Sequence, residues 1–346
     1  MLLAAGERQS NIELLRIIGI FGIIILHYNY SGIGGGFQYV EQGSLNENVL
    51  VFLESIAICG VNLFVMISGY FLSRTNQRSV GKALTLVIQV SIFRFLDYCI
   101  CVLAGLQAFQ LKKMIYSLIP LNWFVTLYIV LYLISPLINR AFKNLQSKNV
   151  LFGLIFLFSF VPTILDLVYR IKGKDMNSLM TLGTNGSGRG YTIVCFVLCY
   201  IIGAALNWIK IEKVKTWAFC LILLITVIVI FFWAKWDRTT AWEYCNPLVI
   251  GEAFMLLCLF LRVKMGTNRI INTIAKSTFG IYLIHQYVLP YLRIEQFVQK
   301  PVYIMLLHLL LSCIGTILFS FAVDWLYRLV MKRANKKLSG VWIYSI

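Results

Sequence analysis

The chain has 346 residues, of which 60% are hydrophobic and only 13% are charged, and its mean hydropathy is +0.81. Soluble domains are about half apolar and about a quarter charged, so this composition excludes a soluble protein and indicates one that is solvated largely by lipid. The formal net charge of +17 taken alone would suggest a nucleic-acid-binding protein. Basic residues that flank membrane spans are the other explanation of this charge, and its distribution along the chain distinguishes the two explanations.

Long apolar runs without alternation recur along the chain. A spanning helix needs about 20 mostly apolar residues, whereas a barrel strand needs about 10 that alternate. The runs therefore predict an all-α, polytopic transmembrane helix bundle, with residues 1–333 as a single transmembrane domain and 334–346 as a short cytoplasmic tail. We place about ten spans near residues 12–30, 49–72, 83–106, 119–138, 151–169, 191–209, 216–234, 247–263, 274–292 and 302–327.

The charges that flank these spans are unevenly distributed. If the N-terminus is cytoplasmic, most Lys and Arg residues fall in the inner segments and most Asp and Glu residues in the outer ones. This positive-inside pattern predicts that both termini are cytoplasmic, and it accounts for the net charge without a nucleic-acid partner. The nine cysteines show no metal-ligand spacing, so we predict no metal site.

The first span carries two ionisable residues, Arg16 and His27. Eleven helical residues rise about 16 Å and turn the chain about 20° past three full turns, so both side chains face the same way. Ionisable groups inside a membrane are costly and often functional, and histidine is the usual general base for a hydroxyl nucleophile. The alternative is structural: an arginine that extends to the membrane surface and a histidine that hydrogen bonds to a neighbouring helix.

Further motifs follow in a consistent order. They are a Ser-Gly-Tyr sequence at 68–70, a Trp-Phe pair at 123–124 and a Tyr-Leu-Ile-His sequence at 282–285. Together with Arg16, ten intervening residues and His27, this set resembles the acyltransferase-3 family of bacterial integral-membrane O-acyltransferases, which modify surface polysaccharides and related glycans. The resemblance covers nearly the whole chain.

The resemblance implies an enzyme in the bacterial cytoplasmic membrane that moves an acyl group from cytoplasmic acyl-CoA, most simply acetyl-CoA, to a glycan or lipid-linked glycan. It implies that His27 deprotonates the acceptor hydroxyl or carries the acyl group transiently, and that Arg16 holds donor phosphate or orients the donor. The acceptor, the acyl chain length and the choice between these two routes stay open at this stage.

Six further residues are candidates for binding. Charge-assisted contacts to the phosphates of CoA are expected from the basic residues after the second span, Arg74, Arg78 and Lys82; solvated positive-inside charge is the alternative reading of these three. Substrate positioning is expected from Trp123, Tyr282 and His285, and for His285 a purely structural role is equally compatible with the sequence.

Other polar residues within the spans have simpler explanations. Arg94 and Asp97 predict an intramembrane ion pair, and Asp324 predicts one with Arg328, because residues three or four apart share a helix face. His308 has no supporting motif and is expected to be packed, whereas Glu252 could pair with a basic group within the bundle, and its role stays open. A carbohydrate transporter or flippase is the main alternative function, but we find no internal repeat of the kind that such proteins show.

Overall fold

The structure is a computed structural model that describes residues 8–143, 146–172 and 190–345. The first seven residues of the predicted domain and the last residue of the predicted tail lie outside these ranges. Helices dominate the architecture. In chain order they are α1 (Ser10–Asn29), α2 (Gly36–Tyr39), α3 (Leu45–Ala57), α4 (Gly60–Leu72), α5 (Val80–Leu103), α6 (Leu111–Ser117), α7 (Trp123–Lys143), α8 (Lys148–Ile155), α9 (Val161–Ile171), α10 (Ile193–Ala205), α11 (Thr216–Trp236), α12 (Arg238–Ala241), α13 (Pro247–Arg262), α14 (Arg269–Ala275), α15 (Thr278–Val288), α16 (Val302–Val330) and α17 (Lys332–Ser339).

Seven of the ten predicted spans coincide with helices in the described chain that are long and apolar enough to cross a membrane. They are Ser10–Asn29, Leu45–Leu72, Val80–Leu103, Trp123–Lys143, Lys148–Val168, Thr216–Trp236 and Val302–Val330. The other three predicted spans contain α10, α13 and α15, which have 13, 16 and 11 residues. These are shorter than the roughly 20 residues of a straight span. The multi-pass helical class is therefore confirmed, and the count of ten stays a prediction.

The three short helices lie against other helices of the bundle. In α10, nine residues are buried, from Cys195 to Ala205. Helices α4 and α10 approach each other closely: a Cβ on Gly69 would overlap the backbone of Tyr200, and one on Gly203 would overlap the backbone of Met66. Small residues allow helices to approach closely in membrane proteins, and interrupted helices are tolerated where protein surrounds them.

The two ends of the bundle can be named after the ends of α1. At the Ser10 end, the hydroxyl of Ser10 donates to Asn272 Oδ1 at 3.0 Å, and Arg74 Nε donates to Asn207 Oδ1 at 3.0 Å. At the Asn29 end, Asn46 Nδ2 donates to the carbonyl of Val298 at 2.7 Å. The segments predicted to be cytoplasmic gather at the Ser10 end, and the side of the membrane that this end faces stays a prediction.

The C-terminal segment packs back onto the start of α5. Strand β1 (Gln77–Ser79) pairs antiparallel with strand β2 (Ile343–Ser345). The hydroxyl of Ser79 donates to the carbonyl of Ser339 at 2.8 Å. Gly81 lies so close to this segment that a Cβ would overlap the carbonyl oxygen of Leu338. The predicted tail is thus part of the folded structure around residues 77–81.

The polar residues predicted within the spans have mixed outcomes. Arg328 Nε lies 2.9 Å from Asp324 Oδ2, so that ion pair is confirmed. His308 is packed as expected, with its ring stacked on Phe297 at 3.9 Å between centroids.

The other two expectations fail. The expected pair between Arg94 and Asp97 does not form within the described chain, because Arg94 donates to the carbonyl of Leu121 at 3.2 Å instead. Glu252 is 1% exposed and lies against the thiol of Cys59 instead of a cation.

The contact at Gly81 predicts that even a methyl group there releases the C-terminal segment. We expect Gly81→Ala to accelerate tryptic cleavage after Lys336 and Lys337, because the added Cβ displaces Leu338. Time-resolved mass spectrometry of the native protein measures the rate. Gly315→Ala is the matched control, since a Cβ at that helical glycine meets no atom within 4 Å. Equal cleavage rates in the two variants would contradict the packing described here.

Candidate active site

His27 lies in the last turn of α1, two residues before the helix ends at Asn29. The chain then turns back on itself, and the backbone N–H of Gly34 donates to the carbonyl of His27 at 3.0 Å. A Cβ on Gly34 would overlap the carbonyl oxygen of Tyr28, so glycine is required for this close approach. The turn thereby caps the end of α1 and holds His27, which is half-buried, at a defined position.

The closest polar side chain to His27 is His285 of α15. Nε2 of His285 lies 2.9 Å from Nδ1 of His27, and the two ring centroids are 4.7 Å apart. His285 is 1% exposed. The two residues are 258 positions apart in the sequence, so the fold and not the local chain brings them together.

Backbone carbonyls decide where the protons of this pair lie. Nδ1 of His27 is 3.0 Å from the carbonyl oxygen of Ile23, and Nδ1 of His285 is 3.2 Å from that of Ile281. A carbonyl oxygen only accepts, so each neutral ring is assigned its proton on Nδ1. Nε2 of His285 is then an acceptor for His27, and Nε2 of His27 keeps a lone pair with no hydrogen-bond partner in the described chain.

This arrangement suits His27 to act as a base. When Nε2 of His27 takes up a proton, the Nδ1–H of the resulting imidazolium points at two acceptors, the Ile23 carbonyl and Nε2 of His285. A base whose second nitrogen is oriented by an acceptor is the arrangement that activates hydroxyl nucleophiles in many enzymes. The orienting group here is neutral, so His285 positions the ring without adding a full negative charge.

A cavity of about 370 Å³, the central cavity, lies beside this pair between α1, α4, α5, α7 and α15. Two cations from the Ser10 end line it, Arg16 in the second turn of α1 and Lys82 in the first turn of α5. The remaining wall is mainly apolar and aromatic, with Phe64, Phe124 and Phe279 among its residues. A long ligand that is anionic at one end and uncharged along its length fits this distribution of charge.

Two residues connect the central cavity to the histidine pair. Ile23 lines the cavity and its carbonyl contacts His27, while the ring of Tyr282 lines it and lies 5.7 Å from that of His285. The hydroxyl of Tyr282 donates to Asn122 Oδ1 at 3.1 Å. The cavity therefore reaches to within one helical turn of His27.

Arg16 has a buried nitrogen that the protein does not use. Its Nε is buried and makes no hydrogen bond within the described ranges. A buried charged donor without a partner is costly. Because Arg16 lines the central cavity, an anionic ligand there would provide the missing acceptor.

The structure separates the three basic residues predicted to bind CoA. Lys82 lines the central cavity, whereas Arg74 lies in a second cavity nearer the Ser10 end. Arg78 is 2% exposed. Its guanidinium donates to Ser135 Oγ and to the carbonyl of Leu72, both at 2.7 Å, and to two further carbonyls. Arg78 therefore holds the segment after α4 in place, and it lines neither of these two cavities.

Trp123 lies at the first residue of α7, away from the cations. It is 39% exposed and stacks on Tyr244 with ring centroids 6.1 Å apart, and Tyr191 meets its ring edge-on at 4.5 Å. Trp123 and Tyr191 are exposed at the Asn29 end of the bundle. His27 thus lies between a cationic region at one end and an aromatic surface at the other.

Sequence reasoning missed two tyrosines of α7, Tyr128 and Tyr132, which line the central cavity. The hydroxyls of Tyr128 and Ser68 lie 3.3 Å apart. A signal was present, since Phe124, Tyr128 and Tyr132 are spaced four apart and so form one aromatic row on a helix face.

The sequence was compared with protein families, with curated proteins and with solved structures, and one family model matches it. A family model described as an acyltransferase domain matches residues 9–325, which include every residue of the site above. No curated protein and no solved structure matches the chain. No cluster of three or more metal-ligating side chains occurs among the described residues.

The tautomer assignment predicts which of the three histidines reacts with diethyl pyrocarbonate. We expect modification of His27 in the native protein, because only its Nε2 has a free lone pair. His285 is fully buried, and both nitrogens of His308 are engaged, with the Tyr28 hydroxyl at 2.9 Å and the Leu292 carbonyl at 3.0 Å. Peptide mass spectrometry identifies the site. Modification of His285 or His308 with His27 spared would contradict the assignment.

Proposed function

Because the chain belongs to the acyltransferase-3 family, we propose that this multi-pass membrane protein moves an acyl group, most simply acetyl, from acyl-CoA to a hydroxyl of a cell-envelope or exported polysaccharide. The observation that carries the proposal is the His27–His285 pair, one helical turn from a cavity that bears Arg16 and Lys82. The protein then lies in a bacterial cytoplasmic membrane with its Ser10 end towards the cytoplasm.

The donor enters from the Ser10 end, where CoA is available. Lys82 and the unpartnered Nε of Arg16 bind its anionic groups, since charge-assisted hydrogen bonds to phosphate are the strong ones. The uncharged pantetheine arm follows the apolar and aromatic wall of the central cavity past Tyr132 and Tyr128. This path carries the thioester towards Ile23 and His27.

The acceptor approaches from the Asn29 end. Aromatic side chains with an exposed face, such as Trp123, suit the apolar face of a sugar ring, and Trp123 is 39% exposed at this end. A glycan linked to a lipid reaches the same surface from the outer leaflet. The two substrates therefore meet at His27 from opposite ends of the bundle.

In the transfer step, Nε2 of His27 takes the proton of the acceptor hydroxyl as its oxygen attacks the thioester carbonyl. The new C–O bond forms, the C–S bond breaks, and the proton on His27 passes to the departing thiolate to give free CoA thiol. His285 and the Ile23 carbonyl accept the Nδ1–H throughout. A general base of this kind contributes about 10²- to 10⁴-fold to the rate.

We expect His27→Ala to lower acyl transfer by about 10²- to 10⁴-fold with unchanged abundance in the membrane. His285→Ala should be milder, because that residue only positions His27. Transfer of label from acetyl-CoA to glycan in membranes measures the rate, and immunoblotting measures abundance.

Added imidazole should partly restore transfer by the His27→Ala protein, since it supplies the missing base to an otherwise intact site. Near-normal turnover of that variant would overturn the mechanism. Detection of a stable acyl group on His27 would show that His27 carries the acyl group covalently and does not act only as a base.

The cations of the central cavity should act on donor binding more than on chemistry. We expect Arg16→Gln and Lys82→Gln each to raise the KM for acyl-CoA by about tenfold or more, since a charged hydrogen bond contributes about 1.5–3 kcal/mol. Lys148→Gln is the control, because Lys148 is exposed at the same end and lines neither cavity. An unchanged KM for acyl-CoA in both cavity variants would show that Arg16 and Lys82 do not bind the donor and are solvated charges.

A further inference from the structure

The last helix of the chain, α17, carries a stripe of basic side chains. The stripe consists of Lys332, Arg333, Lys336 and Lys337, and no Asp or Glu follows Asp324 in the sequence. At about 100° per residue, these four positions fall within about 140° of the helix circumference, so their side chains project on one side. All four are exposed, and none of them makes an ion pair in the described chain. Their positive charge is therefore available to a ligand outside the protein.

The opposite side of α17 packs on the bundle. Leu338 lies on that side and is half-buried, and its carbonyl oxygen lies against Gly81 in the first turn of α5. Past the helix, the backbone N–H of Gly81 donates to the carbonyl of Val341 at 3.3 Å. The backbone N–H of Val80 donates to the carbonyl of Trp342 at 3.2 Å. These contacts fix the direction of the stripe, which points away from the other helices.

The residues that follow α17 place an indole ring at the level where a membrane span begins. Val80 is the first residue of α5, and α5 is long and apolar enough to cross a membrane. Trp342, which is bonded to Val80, is 74% exposed, and its neighbours Val341 and Ile343 are exposed as well. Tryptophan is enriched at membrane–water interfaces, and a basic helix with an adjoining apolar group is typical of segments that lie in the plane of such an interface. The end of the chain therefore has both the composition and the position of an interfacial segment.

The backbone at Trp342 gives an independent indication. Its φ of 48° lies in the left-handed region, which bulky residues rarely adopt. Such strain persists only where the surrounding structure holds it, and it is often found where a ligand binds. The pairing of Ile343 with Ser79 and the bond to Val80 hold the backbone here, while the indole itself is left exposed. Contact of the indole with lipid would offset the cost of this conformation.

We propose that α17 and residues 341–343 form a binding surface for anionic phospholipids of the membrane that surrounds the bundle. Lipid phosphates contact the basic stripe, and the indole of Trp342 lies among the headgroups. Charge complementarity identifies the ligand, because four cations that no carboxylate of the described chain pairs with attract an anionic headgroup and gain little from a zwitterionic one. Clusters of Lys and Arg beside a span are typical of this recognition. Acyl transfer is not required for this binding.

The lipid-binding surface is joined to the rim of the central cavity by one serine. Ser79 Oγ accepts the N–H of Lys82 at 3.2 Å and donates to the carbonyl of Ser339 at 2.8 Å. Lys82 lines the central cavity, whereas Ser339 is the last residue of α17. Lipid bound to the surface therefore stabilises the strand pair and the start of α5, next to the cavity wall.

The test is quenching of tryptophan fluorescence in the full chain, reconstituted in vesicles of phosphatidylcholine and phosphatidylglycerol. One lipid at a time carries bromine near the headgroup end of its acyl chains. The Trp342→Phe protein gives the signal of the other tryptophans, which is subtracted. We expect brominated phosphatidylglycerol to quench Trp342 several-fold more than brominated phosphatidylcholine at the same mole fraction. The preference should fall as salt is added, because exposed charges are screened.

Neutralising the stripe should abolish this preference, since each basic residue near an anionic surface contributes about fivefold to affinity. The stripe variant combines four substitutions, Lys332→Gln, Arg333→Gln, Lys336→Gln and Lys337→Gln. The matched control changes three exposed lysines at the same end of the bundle, Lys210→Gln, Lys213→Gln and Lys215→Gln. We expect the control to keep the preference for phosphatidylglycerol.

Three results would overturn the proposal. Equal quenching of Trp342 by the two lipids at low salt would show that the surface does not select anionic headgroups. Quenching by acrylamide in water, with none by either brominated lipid, would show that the surface faces water or a soluble partner. A folded stripe variant that keeps the preference would place the lipid site elsewhere. The salt series uses the unmodified protein, so it decides the question even if the stripe variant lacks the thermal transition of the unmodified chain.

Discussion

A polar group within lipid has to find its partner inside the protein, and this constraint decides where most of the ionisable side chains of the bundle lie. Asp324 is neutralised by Arg328 on the same helix, and Arg78 donates to a hydroxyl and three backbone carbonyls. Both nitrogens of His308 are engaged. Several buried polar atoms of the described chain have no hydrogen-bond partner, and the Nε of Arg16 is the one among the arginines that lines the central cavity.

The same constraint explains the short helices of the interior. An interrupted helix exposes backbone groups, and these can be satisfied only where other protein segments surround them. His285 lies in the last turn of the 11-residue helix α15, and its ring contacts His27 in the last turn of α1. The two histidines therefore meet where both helices end.

The distribution of polar and aromatic groups gives the bundle two chemically different ends. Cations gather around the two cavities at the Ser10 end, whereas Trp123 and Tyr191 form an aromatic surface at the other end. The function we propose, with a soluble donor on one side of a membrane and a glycan on the other, requires such an asymmetry. In that proposal, the central cavity is the path by which the donor reaches His27.

Features that depend on local periodicity could be predicted from the sequence. The helical class, the shared face of Arg16 and His27 and the Asp324–Arg328 pair all follow from the repeat of one helix, and the order of the motifs was sufficient to recognise the family. The same rule failed for Arg94, whose partner is the carbonyl of Leu121, because a carbonyl elsewhere in the fold competes with Asp97 for the guanidinium.

Contacts between distant segments were decided by the tertiary structure alone. The sequence contains no signal that His285 is the partner of His27, because 258 residues separate them. Arg78 and Lys82 are four apart, yet one is buried and the other lines a cavity, because Arg78 lies in β1 and Lys82 in the first turn of α5. The strand forms only because the C-terminal segment returns to pair with it, and such long-range pairing leaves no periodic trace in the sequence.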